Sequence, residues 1–351
     1  MNSLPISSTE TAIENCIRAQ KRRAFRTGAF LFCVMALSAA LSVRFGSVSL
    51  AWANIVPALL GQDAESAAAR IVLYSRLPRT LGCLCCGASL AASGAVIQSV
   101  LENPLAAPNL IGINAGAGLA VALHGAFFSG AAALAPLSAF LGALAGAFTV
   151  LLIGESTGAS RLTVILSGIA VSAAFSGLLD LTLTLVPDAL SAYADFRIGG
   201  FSGVTIRRIL PACLVSAVSL TLVLSLTPQM DVLSLGADTA QSLGLRVQPV
   251  RILLLASAAA LAGAAVSVSG LLGFVGLIVP HAARRAARGE SLPLIIFSTF
   301  GGAAFVTLCD LCGRMAFAPY EVPAGVILSL LGGPFFLWLV LRRRRNYTRE
   351  R

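Results

Sequence analysis

The sequence predicts an all-α polytopic membrane protein with about ten transmembrane helices. Two observations lead to this fold class. Hydrophobic residues make up 57% of the 351 residues and charged residues only 11%, with a mean hydropathy of +0.88. Soluble domains carry about 25% charged residues, so a water-soluble globular enzyme is disfavoured. The apolar residues also fall in long runs, and a run of ~20 residues matches the ~30 Å hydrocarbon core of a bilayer.

Ten such runs are bounded by charges, prolines or glycine clusters. They cover residues 28–45, 80–100, 108–128, 131–153, 162–186, 209–226, 250–268, 271–281, 292–313 and 324–341. The eighth is too short to cross unless its helix continues through Pro280. We therefore expect a cytoplasmic N-terminal segment (1–27), a single transmembrane domain (28–341) and a basic cytoplasmic tail (342–351).

Basic residues are distributed unevenly between the two sides of this bundle. With the N-terminus inside and ten alternating crossings, the inside segments hold 17 of the 25 Lys and Arg residues. Positive charge marks the cytoplasmic side of membrane proteins. The distribution predicts a multi-pass membrane protein with both termini in the cytoplasm and an even number of crossings. It also explains the net charge of +10 without a nucleic-acid partner.

Residue content disfavours several kinds of chemistry. Lys21 is the only lysine, and it does not lie in the Gly-x-x-x-x-Gly-Lys-Ser/Thr pattern of a nucleotide-binding loop. The eight cysteines lie mostly within apolar runs without histidine at ligand spacing, so they predict neither a disulfide framework nor a metal site. We assign no catalytic residue and expect a non-enzymatic subunit without a cofactor of its own.

Arg76 and Arg79 flank Pro78 at the start of the second run, just outside the predicted crossing. A proline suits the first turn of a helix. A cation there is unfavourable by ~0.3–1 kcal/mol because the helix N-terminus is already positive. The two arginines therefore predict an acidic partner, in lipid or in protein. Near the other end of the chain, Asp310 and Arg314 have the i,i+4 spacing of an ion pair on one helix.

The loop at about 227–248 contains a candidate docking helix. Between Gly236 and Gly244 there is room for about two helical turns, too few to cross a bilayer and only marginally stable alone in water. A short helix persists when it docks into the groove of a partner. An ordinary surface turn is the alternative.

Asp180 lies inside the fifth run, where an ionisable group is costly and is a functional candidate by default. It could line a translocation path or a water pocket, or it could reach Arg197 in the following loop. Near the end of the eighth run, Pro280 and His281 predict the end of a helix ahead of an inner loop.

Long stretches of the chain resemble the FecCD-like permeases of type II ABC importers for iron-siderophores, haem and cobalamin. The matching pieces include RLPRTLGCLCCGASLAASGAVIQSVLENPLAAPNLIGINAGAG at 76–118, LSLGADTAQSLGL at 233–245, GLLGFVGLIVPHAARR at 270–285 and the stretch 309–336. The loop 187–205 is less typical because it lacks a tryptophan common in relatives. The family-motif positions are Asn103, Pro104, Pro108, Gly112, Pro280, His281, Asp310, Glu321, Pro323 and Gly325.

The resemblance implies roles for features described above. In the family, arginines matching Arg76, Arg79 and Arg314 face acidic residues of an extracytoplasmic substrate-binding protein. The helix containing Asp180 matches one that lines the central path at a dimer interface. The positions that match the helices docking on the ATPase are Leu235, Gly236, Asp238, Leu243 and Gly244.

The implied mechanism is alternating access. Two permease copies, identical or similar, enclose a path for an iron chelate, with siderophore first, then haem and cobalamin. Two ATP-binding cassette subunits, with ATP and magnesium, supply the driving force from outside this chain. An ion-coupled secondary transporter is the alternative, with inverted repeats and polar ion sites near the midplane as its expected marks. A membrane scaffold without a transport role is a second alternative.

Overall fold

The computed structural model describes residues 6–46, 50–62, 66–156 and 161–347, and all regular structure in these ranges is helical. The all-α prediction is confirmed for them. The helices are α1 (Ile6–Arg44), α2 (Trp52–Leu59), α3 (Ala67–Ile71), α4 (Leu77–Val100), α5 (Ile113–Phe127), α6 (Ala135–Ser156), α7 (Arg161–Leu185), α8 (Ala189–Ile198), α9 (Ile206–Ser225), α10 (Thr227–Leu233), α11 (Ala237–Ser242), α12 (Val247–Ser269), α13 (Val275–Ala287), α14 (Ser291–Met315) and α15 (Ala324–Tyr347).

Seven helical segments within the described ranges are long and apolar enough to cross a membrane. They are Arg18–Arg44, Ala67–Val100, Ala135–Ser156, Leu162–Leu185, Ile206–Ser225, Val247–Ser269 and Ser291–Met315. Two further apolar helical stretches, Ile113–Phe127 and Ala324–Leu339, are shorter than this class requires. The structure thus confirms a polytopic helical bundle, whereas the count of ten crossings is not confirmed.

Helix α4 is the centre of the bundle and packs against α9, α12, α13 and α14. Its small residues allow this close packing, which is how helices associate without a hydrophobic driving force in lipid. A Cβ atom on Gly94 would overlap the carbonyl oxygen of Gly276 in α13, and one on Gly87 would overlap that of Gly302 in α14. Glycine at these two positions therefore allows the backbones of α13 and α14 to approach α4 closely.

Helices α1 and α7 lie at the periphery. Only 6% of the apolar window of α1 and 28% of that of α7 are buried. Large apolar side chains stay exposed along α7: Leu162, Leu166, Ile169, Leu178, Leu181 and Leu185. Such a surface requires lipid or another subunit to cover it.

The N-terminal polar segment is helical and continuous with the first crossing, because α1 runs without a break from Ile6 to Arg44. Residues 1–5 and 348–351, at the outer ends of the predicted leader and tail, lie outside the described residues. The loop predicted at 187–205 contains helix α8. Pro187 before α8 and Gly199 after it are helix start and stop signals that the sequence displays.

The predicted helix end at Pro280 and His281 is wrong, because α13 continues through both to Ala287. A proline lacks the N–H group that would bond the carbonyl four residues earlier, which here is Gly276. The buried Gln98 side chain of α4 donates from Nε2 to that carbonyl oxygen at 3.1 Å. His281 packs edge-on against the ring of Phe335 in α15 at a centroid distance of 5.8 Å.

Candidate functional site

A network of charged side chains lies where α4 begins and α14 ends; we call this the arginine end of the bundle. The two helices pack along each other and bring together residues far apart in sequence. Arg76 is 5% exposed, Arg79 9%, Arg314 3% and Asp310 0%. Buried charges require ionic and hydrogen-bonding partners, so the contacts of these four residues decide what the network can do.

Asp310 is the anionic centre of the network. Arg79 donates from Nε to its two carboxylate oxygens at 3.1 and 3.0 Å, and from Nη2 at 2.9 Å. The Nε atom of Arg314 lies 3.0 Å from Oδ2 of Asp310, which confirms the predicted i,i+4 pair. One buried carboxylate thus pairs with two guanidinium groups, and Arg79 contacts it through two donor nitrogens, the arrangement in which arginine–carboxylate pairs are strong and specific.

The other arginine contacts bind the end of α1. Arg76 donates to the carbonyl oxygens of Val43 at 2.8 Å and Arg44 at 2.5 Å. Arg314 donates to the hydroxyl of Ser42 at 2.7 Å. The last carbonyls of a helix lack intrahelical partners and lie at its negative pole, so cations stabilise them. The network therefore fastens α1 to α4 and α14.

Glu321 is the outermost member of the network and lies in the loop that enters α15. Its Oε2 atom is 2.6 Å from Nη1 of Arg79, and its side chain is 35% exposed. Pro323 and Gly325 follow it, and the N–H of Gly325 donates to the carbonyl oxygen of Gly199 at 3.1 Å. Gly325 thus connects this loop to the end of α8, and Glu321 connects it to α4.

The acidic partner predicted for Arg79 lies within this chain. The predicted position of Arg76 and Arg79 just outside the crossing stays a prediction. Both arginines are buried within the continuous helical stretch Ala67–Val100. A hydropathy pattern cannot reveal this because it does not show which helices cover the start of α4. The role of the three arginines toward a binding protein stays a prediction.

A cavity of about 590 Å³ opens beside the network. Its charged lining consists of Arg79, Asp195, Arg208 and Glu321, and backbone of residues 199–203 forms one wall. The cavity places the exposed face of the Arg79–Glu321 pair at a surface that another molecule could reach.

The short helix predicted between Gly236 and Gly244 is present at the opposite end of the bundle, while its docking role stays a prediction. Helix α11 is preceded by Gly236, with φ +100°, and followed closely by Gly244, with φ +85°. The side chains of Leu235 and Leu243 are 59% and 64% exposed. Asp238 lies in the first turn, where a carboxylate favours the helix dipole. The segment exposes two large apolar side chains, one on each side of a short, well-bounded helix.

Sequence reasoning missed several polar residues at this end. The carboxylate of Asp231 in α10 accepts a hydrogen bond from the N–H of Ser291 at 2.8 Å and so caps α14. Arg284 lies 3.4 Å from both Gln98 Oε1 and Ser99 Oγ, beside a cavity of about 290 Å³. Gln98 was detectable as a lone amide in an apolar run, whereas the Asp231 contact required the fold.

The connection from α4 to α5 contains four of the motif residues. Asn103 accepts a hydrogen bond from the N–H of Leu105 at 3.0 Å through its side-chain oxygen, which forms a tight turn. Pro104 lines the smaller cavity, and Pro108 starts a short 3-10 turn. Gly112 has φ +78° and begins α5. These residues shape a turn and are separate from the arginine network.

Asp180 is exposed on α7, away from the arginine network. The structure shows no ion pair between Asp180 and Arg197 among the described residues, so the predicted alternative of a pair in the same chain is not supported. Within the same ranges, no three His, Cys, Asp or Glu side chains cluster as a metal site would require. The seven cysteines that the structure describes form no disulfide bond, and Cys312 is exposed.

Comparison with known proteins decides the family. Residues 34–342 match the FecCD transport family. This chain belongs to the FecCD transport family. It is 34% identical over 317 residues to the iron(3+)-hydroxamate import system permease protein FhuB of Bacillus subtilis, covering 90% of this chain and 82% of the relative. It is 34% identical over 331 residues to the hemin transport system permease protein HmuU of Yersinia pestis, covering 90% and 96%.

The fold of this FecCD chain also resembles a solved metal-chelate type ABC transporter in an inward-facing conformation. The TM-score is 0.80 at 28% identity, and the match covers 90% of this chain and 99% of the other. The two relatives from Bacillus subtilis and Yersinia pestis are transport permeases, which agrees with a non-enzymatic membrane subunit. Membership in a transport family disfavours the scaffold alternative.

Proposed function

We propose that this chain is the permease subunit of an ATP-driven importer of iron chelates, with a ferric siderophore as the first substrate class and haem or cobalamin next. The observation that carries the proposal is the family match across residues 34–342. The names of its relatives, iron(3+)-hydroxamate and hemin permeases, support the substrate class. The ABC transporter fold of its structural neighbour favours ATP over an ion gradient as the energy source.

Two copies of the chain form the path in this proposal, and a related partner is the alternative second subunit. The exposed apolar side chains of α7 supply a surface for that contact, and Asp180 lies on the same helix beside the path. The assembly lies in the bacterial inner membrane with both termini of each copy in the cytoplasm. The arginine end then faces outward, where a substrate-binding protein docks, and α11 faces the cytoplasm.

Two ATP-binding cassette subunits dock at α11. They bind ATP and magnesium, and this chain holds no cofactor. Leu235 and Leu243, which flank α11, supply the apolar contact, since large exposed apolar side chains are the anchors of helix-in-groove recognition. Motion of α11 reaches α14 through α10, whose Asp231 caps the first residue of α14.

The substitution Gly236→Pro tests the coupling role. Proline cannot adopt φ +100° and removes the N–H that donates to the carbonyl oxygen of Leu233 at 3.1 Å. We expect the start of α11 to be distorted, so that copurification of the ATPase or ATP-dependent transport falls at least about tenfold, a loss of ~1.4 kcal/mol of coupling free energy.

The matched control is Gly61→Pro. Gly61 also has a positive φ (+74°), has no heavy atom within 4 Å of a Cβ position, and donates to a carbonyl three residues earlier. It lies next to α2, away from α11, so the backbone strain is comparable while the coupling helix is intact. Transport and ATPase binding that survive Gly236→Pro as well as Gly61→Pro would refute the assignment of α11.

A further inference from the structure

The two carboxylates that contact Arg79 are held very differently. Asp310 is fully buried and contacts Arg79 through three donor distances of 2.9–3.1 Å, and it also contacts Arg314. Glu321 contacts only Nη1 of Arg79, and 35% of its side chain is exposed. Exposed ion pairs contribute little to stability, whereas breaking a buried pair leaves an uncompensated charge. Asp310 is therefore the fixed partner of Arg79 and Glu321 the exchangeable one.

The charge balance of the network favours another carboxylate. Among the described residues, Arg79 and Arg314 both pair with Asp310, and Glu321 pairs with Arg79. If Glu321 leaves, these two guanidinium groups share the single carboxylate of Asp310. Glu321 and Arg79 both line the cavity of about 590 Å³, so an incoming carboxylate can approach Nη1 along the path by which Glu321 withdraws.

We propose that Glu321 is an internal stand-in for the partner: it occupies Nη1 of Arg79 in the undocked permease and is displaced by a carboxylate of the binding protein on docking. This inference rests on the proposed function, in which an acidic binding protein docks at the arginine end. It reconciles buried arginines with a docking role, because Arg79 needs to expose only one nitrogen and keeps Asp310 throughout.

The exchange has a structural consequence beyond docking. The loop that contains Glu321 is held by a hydrogen bond from Val322 N–H to the carbonyl oxygen of Gly313 at 3.0 Å, and by that from Gly325 to Gly199. Gly199 directly follows α8, whose end forms a wall of the cavity. Among the described residues, the Arg79–Glu321 pair is the one side-chain ion pair that joins this loop to α4. Displacement of Glu321 removes it, so docking loosens the loop and, through Gly325 and Gly199, the end of α8 that forms the cavity wall.

The substitution Glu321→Gln tests the exchange. The permease is reconstituted with its ATPase in nanodiscs, and the Kd of its substrate-binding protein is measured. A neutral amide competes poorly with a carboxylate for a guanidinium group, so we expect the Kd to fall by about two- to fivefold, the range of an exposed ion pair. The melting temperature is expected to stay unchanged because Asp310 still pairs with Arg79.

Two further variants separate the exchange from a general charge effect. Asp195→Asn removes one negative charge from the same cavity, and among the described residues Asp195 forms no ion pair with Arg79, so the Kd is expected to fall less than in Glu321→Gln. Glu321→Asp keeps the competing charge and is expected to return the Kd toward the wild-type value.

The outcomes distinguish the exchange from the docking role on which it rests. Tighter binding by Glu321→Gln alone supports the exchange. Unchanged or weaker binding by Glu321→Gln, or an equal gain in Asp195→Asn, overturns the exchange while docking stands. A wild-type permease that does not bind the protein at all overturns the docking role and the exchange together.

Discussion

Replacing Asp310 by asparagine is expected to destabilise the protein by ~3–5 kcal/mol, because removing one member of a buried ion cluster leaves its partners uncompensated. Arg79 and Arg314 both lose the carboxylate they share, and Arg314, which is 3% exposed, cannot reach bulk water without movement of the helices around it. The loss is measured as a lower melting temperature of the detergent-solubilised protein, followed by size-exclusion chromatography after heating.

Asp188→Asn is the matched control for this substitution. Asp188 is exposed before α8 and its side chain makes no capping hydrogen bond. The double variant Asp310→Asn with Arg314→Met is expected to lose less stability than the sum of the two single variants, since the residues contact each other. A melting temperature for Asp310→Asn equal to that of Asp188→Asn would show that the network is not needed for the fold.

The second large effect is expected for Gly94→Val. A valine side chain at this position would overlap the carbonyl oxygen of Gly276, which is backbone and cannot rotate away. Overpacking of a core costs ~1–3 kcal/mol where side chains can adjust, and we expect a larger loss here because α4 and α13 must separate. The same movement would break the hydrogen bond from Gln98 to Gly276. Little folded protein is expected in membrane extracts.

Gly177→Val controls for the loss of glycine from a membrane helix. Gly177 lies in α7, and no heavy atom lies within 4 Å of its Cβ position. Its yield and melting temperature are expected to match the wild type. Equal yields of the Gly94 and Gly177 variants would contradict the close contact between α4 and α13.

Local features of the fold were predictable from the sequence. Gly236 and Gly244 mark the bounds of α11 because glycines stop and start helices within a few residues. The pair Asp310–Arg314 follows from i,i+4 spacing on one helix. The number of crossings was not predictable in this way, since hydropathy does not separate a membrane-spanning helix from a short apolar helix such as α5 that packs inside the bundle.

Contacts between distant parts of the chain account for what sequence reasoning missed. Asp310 is 231 residues from Arg79 in the sequence. Only the packing of α14 along α4 makes Asp310 the shared partner of Arg79 and Arg314. The helix end expected at Pro280 failed for the same reason, because Gln98 on another helix replaces the missing proline donor. Family resemblance marked Arg79, Asp310 and Glu321 individually, whereas their pairing requires the three-dimensional structure.

Uptake by reconstituted proteoliposomes tests the central claim most directly. The permease, its ATPase and its binding protein are assembled with a radiolabelled ferric siderophore, with and without ATP, and with an ionophore that collapses ion gradients. We expect uptake that requires ATP, persists with the ionophore, and is lost in Gly236→Pro. Uptake that proceeds without ATP and stops when the ionophore is added would contradict an ATP-driven importer and identify an ion-coupled transporter.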